Sequence, residues 1–106
     1  VRLQPVIVES GDVPTEVMTR IIRQRAPELR DCYLPRLAER PHLEGQLHFR
    51  LQLANHGDVL RVAAVVNTLG DAGALSCVQA IMESLVLPGA GEPSVIVVPL
   101  LFTPSG

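Results

Sequence analysis

Lysine and tryptophan are absent from this chain, and its aromatic residues are Phe49, Phe102 and Tyr33 alone. A core with so few rings has to be filled by Val, Leu, Ile and Ala through many small contacts. At 106 residues the chain is long enough for one domain and one core of modest size. Although 47% of its residues are hydrophobic, no apolar run approaches the roughly 20 residues a membrane-spanning helix needs. No signal peptide is evident either, and the sequence opens on Val1 without an initiating Met, which reads as a fragment or mature product whose targeting segment lies elsewhere.

Catalytic and ligand-binding signatures are missing as well. There is no Cys-x-x-Cys, and two thiols alone do not complete a zinc site. Ser76 has no histidine on or beside its expected helix. Gly89-Ala90-Gly91 follows a helix, where a phosphate-cradling loop would precede one. His42 belongs to a loop, His48 to the wet face of a strand and His56 to a turn, so the three converge poorly as a metal triad. Neither an enzyme nor a cofactor or metal site is expected. All nine basic residues are Arg, which fits a GC-rich coding sequence, and six lie between Arg20 and Arg40. Glu28, Asp31 and Glu39 are interleaved with them and the formal net charge is −2. Phosphate backbones demand an uncompensated basic stripe, so nucleic acid is not an expected partner.

What is present begins with two cysteines. Cys32 falls late in one stretch of helical periodicity and Cys77 early in another, with a strand-turn-strand pattern between them. If both helices pack on one face of that hairpin, the thiols can meet as a structural disulfide; free core thiols are the alternative. Closing a loop of roughly 45 residues would stabilise the fold by about 4 kcal/mol in the chain-entropy model. Such a staple implies an oxidising compartment.

Along the chain, Val1 to Glu9 alternates weakly and carries Pro5, reading equally as a linker end or an extra edge strand, so residues 1–11 are set apart from a domain spanning 12–106. Asp12 before Pro14 signals a helix start. Val17, Ile21, Ile22, Leu29, Cys32, Tyr33 and Leu37 mark its apolar face. Pro27 predicts a break near Ala26-Pro27 and Pro35 a further disturbance, with an end at Arg40-Pro41. Gly45 to Ala54 alternates strictly, with Leu47, Phe49, Leu51 and Leu53 inward. Asn55-His56-Gly57-Asp58 is a turn, and Val59 to Asn67 returns with Leu60, Val62, Ala64 and Val66 inward. Asp71 caps a second helix whose face is Leu75, Val78, Met82 and Leu85, joined by Ala74, Cys77 and Ile81. Ser94 to Phe102 is a third, nearly all-apolar strand. Pro99 cannot donate to a ladder, which makes an edge position the expectation.

The order helix-strand-strand-helix-strand, with a right-handed crossover, gives an α+β fold. Its three-stranded antiparallel sheet has spatial order third-first-second, with two helices packed on one face.

Several residues then carry a family resemblance. They are Cys32-Tyr33, the run from Pro41 through Leu43 to Gly45, Thr68-Leu69-Gly70-Asp71, Cys77, and the closing Pro99 to Phe102. In that order, over roughly Pro14 to Phe102, they resemble the C-terminal, TonB-like domain of the AgmX/PglI family. Pro35 departs from the pattern, and so does the missing aromatic before Leu87-Pro88. The resemblance implies a periplasmic module at the end of an inner-membrane-anchored parent chain, associated with gliding motility and built like the TonB energy transducer. TonB domains take up a short segment of an outer-membrane protein as an added strand on their third strand. The implied partner-binding residues here are Ser94, Val95, Ile96, Val97, Val98 and Leu100, and the implied partner is an outer-membrane or periplasmic protein segment.

An apolar edge is independently a template for strand addition, with backbone bonds supplying affinity and alternate side chains specificity. Two further outcomes are open for that edge. Val1 to Glu9 can fold back over it, or two copies can pair through it as a homodimer, a structural self-assembly domain of an envelope complex.

Overall fold

The computed structural model describes residues 1–104. Two short strands, β1 (Arg2–Leu3) and β2 (Ile7–Ser10), open the chain and lead into helices α1 (Thr15–Gln24) and α2 (Ala26–Glu39). The hairpin β3 (Gly45–Leu53) and β4 (Val59–Asn67), helix α3 (Ala72–Glu83) and strand β5 (Ser94–Phe102) complete it. The α+β architecture and the β5-β3-β4 order of the central strands match the expectation.

The helices follow their prolines. Pro27 sits in the first turn of α2, where no amide donor is needed. The break therefore falls at Arg25, between two helices. Pro35 does not end α2, which runs on to Glu39. Both Pro35 and Asp31, the residue whose carbonyl loses its donor, are exposed, so water can satisfy the orphan group. Asp12 is not the cap of α1. Pro14 takes that position, and its carbonyl accepts the Met18 N–H at 3.0 Å. The buried face of α1 is Met18 and Ile22, one residue along from the expected Val17, which is 37% exposed.

Strand β3 buries Leu47, Phe49, Leu51 and Leu53, as its alternation predicts. Opposite them on β4 lie Asn67, Ala64, Val62 and Val59. Two register shifts produce this, one skipping Val65 and the other Leu60. The bulged residues swing outward, and Leu60 is 67% exposed. The expected inward set on β4 is thereby corrected: Val62 and Ala64 lie opposite β3's core residues, though Ala64 stays exposed, and Leu60 and Val66 do not. A uniform apolar run hides bulges, because nothing in it marks the skipped residue.

Helices α2 and α3 run antiparallel along a three-point seam. Arg25 Nη2 donates to Ser84 Oγ at 2.9 Å, Cys32 is disulfide-bonded to Cys77, and Arg36 Nε lies 3.0 Å from Asp71 Oδ1. The Cα atoms of the two cysteines are 5.6 Å apart, within the usual span of a disulfide. Asp71 also caps α3 by accepting the Ala74 N–H at 2.8 Å, and it receives Arg40 Nη1 at 3.2 Å. Three of the six clustered arginines are thus spent on joining helices.

The recognised motifs all serve this assembly. The Tyr33 hydroxyl donates to the buried Leu43 carbonyl, and its ring meets Phe102 edge-on at 5.4 Å. Gly45, at φ +152°, lies against the backbone of Leu69, where a Cβ would come within 2.6 Å of the Leu69 nitrogen. Thr68 Oγ1 accepts the Gln46 N–H at 2.8 Å.

Reducing the disulfide is expected to lower the unfolding free energy by up to about 4 kcal/mol, read as a lower urea midpoint with reductant than without. Asp71→Ala should cost about 2 kcal/mol through the lost cap. The Ala74 amide first, and the two guanidiniums after it, hold the Asp71 carboxyl below its usual range. Its stabilisation is present above the ordinary carboxylate pKa and is lost as pH falls through the depressed value. Urea midpoints of the parent and Asp71→Ala should therefore converge in acid.

Candidate functional site: the outer edge of the last strand

Strand β5 is not an edge. Its nine residues pair with β3 from Ser94↔Leu53 to Phe102↔Gly45. On its other side it carries β1 through Arg2↔Leu101 and Leu3↔Leu100, and β2 through Ile7↔Val97, Val8↔Ile96 and Ser10↔Val95. Residues 1–10 fold back and cover the edge that strand addition would use.

Pro99 fits this internal position for a reason alternation explains. Its carbonyl accepts the Gln4 N–H at 3.0 Å. The N–H and C=O of a strand residue point to the same edge, so Pro99's missing donor faces the β1–β2 side and spares the β3 ladder. The covering chain is itself interrupted there, between Leu3 and Ile7 around Pro5.

The six expected partner-binding residues divide by face. Ile96, Val98 and Leu100 lie opposite Leu51, Phe49 and Leu47 and are fully buried in the core. Ser94 is also buried, pressed by Gly11, where a Cβ would fall 2.3 Å from the Ser94 hydroxyl oxygen. Only Val95 and Val97 turn to the outer face, beside Gln52 and Arg50. An incoming strand therefore meets β5 as backbone, with outer-face side-chain contact at Val95, Val97 and their neighbours and inner-face contact where the strap's Leu3 and Val6 pack against the core.

One ion pair crosses this surface. The ladder runs Arg50↔Val97↔Ile7 across three strands. Arg50 reaches over β5 to Glu9, with Nε 2.5 Å from Oε1 and Nη2 3.2 Å from Oε2. Glu9 is the residue skipped by the register shift in β2, and a bulge of this kind re-aims a side chain. Neither partner was legible as a site in the sequence. Arg50 reads as one more wet-face residue of an alternating strand, and Glu9 lies 41 residues away.

The covering strap is lightly held. All four β2 residues are exposed, although Val1, Leu3 and Val6 pack partly against the core. Between Pro5-Val6 and the α1 surface from Thr15 to Gln24 lies a groove of about 560 Å³. A second, of about 350 Å³, separates Val1 to Leu3 from Ile22, Ala26 and Leu29.

The other candidates stay apart. His42 follows α2 in a loop, His48 Nε2 is 2.8 Å from Gln46 Oε1, and His56 is in the β3–β4 turn. Among the described residues no group of three or more His, Cys, Asp or Glu is placed to hold a metal ion. No described helix is long and apolar enough to cross a membrane.

The architecture has a solved counterpart. The NMR structure of the Helicobacter pylori TonB C-terminal domain (residues 179–285) superposes with a TM-score of 0.52, covering 89% of this chain and 96% of that one. The fold is that of a TonB C-terminal domain. Sequence identity is 13%, so the likeness is one of fold. No family model matches the chain, and no curated protein matches its sequence.

Within this TonB-like fold, the Arg50 guanidinium holds the Glu9 carboxyl below its usual range, chiefly by hydrogen bonding. A depressed carboxyl contributes its tie above the ordinary Glu pKa and loses it as pH falls through the lowered value. The amides of β2 should lose hydrogen-exchange protection, corrected for intrinsic rate, as pH falls through the lowered Glu9 value, before those of β3 do. Equal loss across both strands would remove the ion pair as the strap's fastening.

Proposed function

We propose that this domain is a periplasmic protein-protein interaction module. It couples an inner-membrane-anchored machine to an outer-membrane or periplasmic partner, taking up a segment of that partner as a strand on the outer edge of β5. The observation that carries the reading is that this edge already holds an added strand, and holds it in two short pieces of two and four residues. The backbone there is set for strand addition, and the strap is the element a partner would replace.

The disulfide supports an oxidising compartment. The TonB-like fold supports an envelope interaction module, with no bond chemistry asked of it. The resemblance of the motif set to the AgmX/PglI C-terminal domain, read from the sequence, suggests a role in envelope machinery of the gliding-motility kind. Homodimerisation through β5 meets the same strap; of the sheet's two outer edges, one is the broken strap itself and the other is β4, whose two bulges blunt it.

Backbone-amide NMR of the domain titrated with solubilised outer-membrane proteins tests the proposal. Shifts should concentrate on residues 2–10 and 94–101, as one strand leaves and another arrives. Val97→Pro should abolish them, because the Val97 N–H points to the outer edge, two residues from Pro99, and its loss leaves the β3 ladder whole. Shifts confined to β4 would move the site to the open edge and end the strand-exchange reading.

A further inference from the structure

Taking the strand-exchange reading as its basis, the geometry points to the kind of segment that β5 accepts: an extended stretch, antiparallel to β5, with an apolar residue opposite Val97 and an acidic residue two positions further on, read by Arg50. The strap is the template for this pattern. Ile7 sits opposite Val97 and is 51% exposed, so it lies over the strand without being locked into the core. Glu9 follows two residues later, at the bulge, and takes both the Nε and Nη2 donors of Arg50.

The chemistry of the remaining positions narrows the choice to this pair. Ile96, Val98 and Leu100 turn to the core face, where the strap's Leu3 and Val6 pack, so that face asks for apolar residues and the reading of charge falls to the outer face. Val8, between the two reading positions, is 36% exposed. Arg50 is the charged group that β3 presents to a strand lying on β5, since its neighbours on that face are Gln52, His48 and Gln46. A guanidinium offers a planar fork that matches a carboxylate, and once Glu9 withdraws it is left without that partner. A partner segment carrying its own carboxylate at this position restores the pair. One with a basic residue there meets like charge. Arg50 is thus a specificity residue for the partner, and Glu9 is the internal competitor.

Two synthetic peptides test this, the strap sequence from Arg2 to Ser10 and the same peptide carrying Glu9→Arg. Each is titrated against the whole chain carrying Glu9→Ala, in which the strap is loosened, and against the chain carrying Glu9→Ala with Arg50→Glu. The first host should bind the acidic peptide about five-fold more tightly than the basic one, an exposed pair being worth no more than that. The second host should reverse the order. Equal affinities in both hosts, with β5 amides still shifting, would overturn Arg50's role and leave strand exchange standing. If neither peptide moves the β5 amides of either host, both the recognition and the strand exchange beneath it fall.

Discussion

Everything in this fold is placed relative to the pairing of β3 with β5. The two strands are joined residue for residue over nine positions, yet about 40 residues separate them along the chain. Bringing them together has a loop-closure cost that local structure cannot offset. The intervening chain meets it in two ways. The β3–β4 hairpin turns the chain back at once, and α3 is then fixed against α2 by the Arg25, Cys32 and Arg36 contacts. With the helices held in register, Phe49, Leu51, Ile96 and Val98 are fully buried beneath them. A core without Trp and with little aromatic mass depends on that register, because small aliphatic side chains tolerate sliding better than rings do.

The same pairing accounts for the behaviour of the prolines. Pro99 is compatible with an interior strand because the donor it lacks belongs to the outer side, where the strap is broken around Pro5. Sequence reasoning treats proline as evidence for an edge. In this fold it is evidence about one side of a strand. A strand has two ladders, and a missing donor spoils only the one it faces. The inference from Pro99 to an exposed edge failed at that point, and β5 turned out to be flanked on both sides.

Much else in the fold was legible. Strict alternation from Leu47 to Leu53 fixes the inner face of β3, and Asp71 announces the start of α3 through a local hydrogen bond to Ala74. The Cys-Tyr, Leu-x-Gly and Thr-Leu-Gly-Asp pieces each meet a strict stereochemical demand in the fold, such as Gly45 against Leu69. The candidate site makes no such demand. Backbone edges carry no sequence signature, and the Arg50–Glu9 pair joins an ordinary strand position to a residue in a weakly patterned segment. Bulges at Glu9, Leu60 and Val65 were invisible for the related reason that hydrophobicity alone does not number the residues of a ladder.

If β5 exchanges its strap for a partner strand, as proposed, the strap changes what affinity means there. Replacing one strand by another leaves the count of backbone hydrogen bonds nearly unchanged, so the exchange gains little from them. The strap is also tethered, and short tethers present their ends at effective concentrations of about millimolar. A free segment competes against that concentration, and its apparent affinity is reduced by the fraction of time the edge is open. Discrimination then rests on small differences between the strap's side chains and the partner's, at Val97 and at Arg50. In that exchange the light packing over the two grooves would favour opening and the Glu9 ion pair would oppose it. For the coupling role proposed above, such a near-balanced exchange would serve better than a bare apolar edge, which would pair with any extended chain it met.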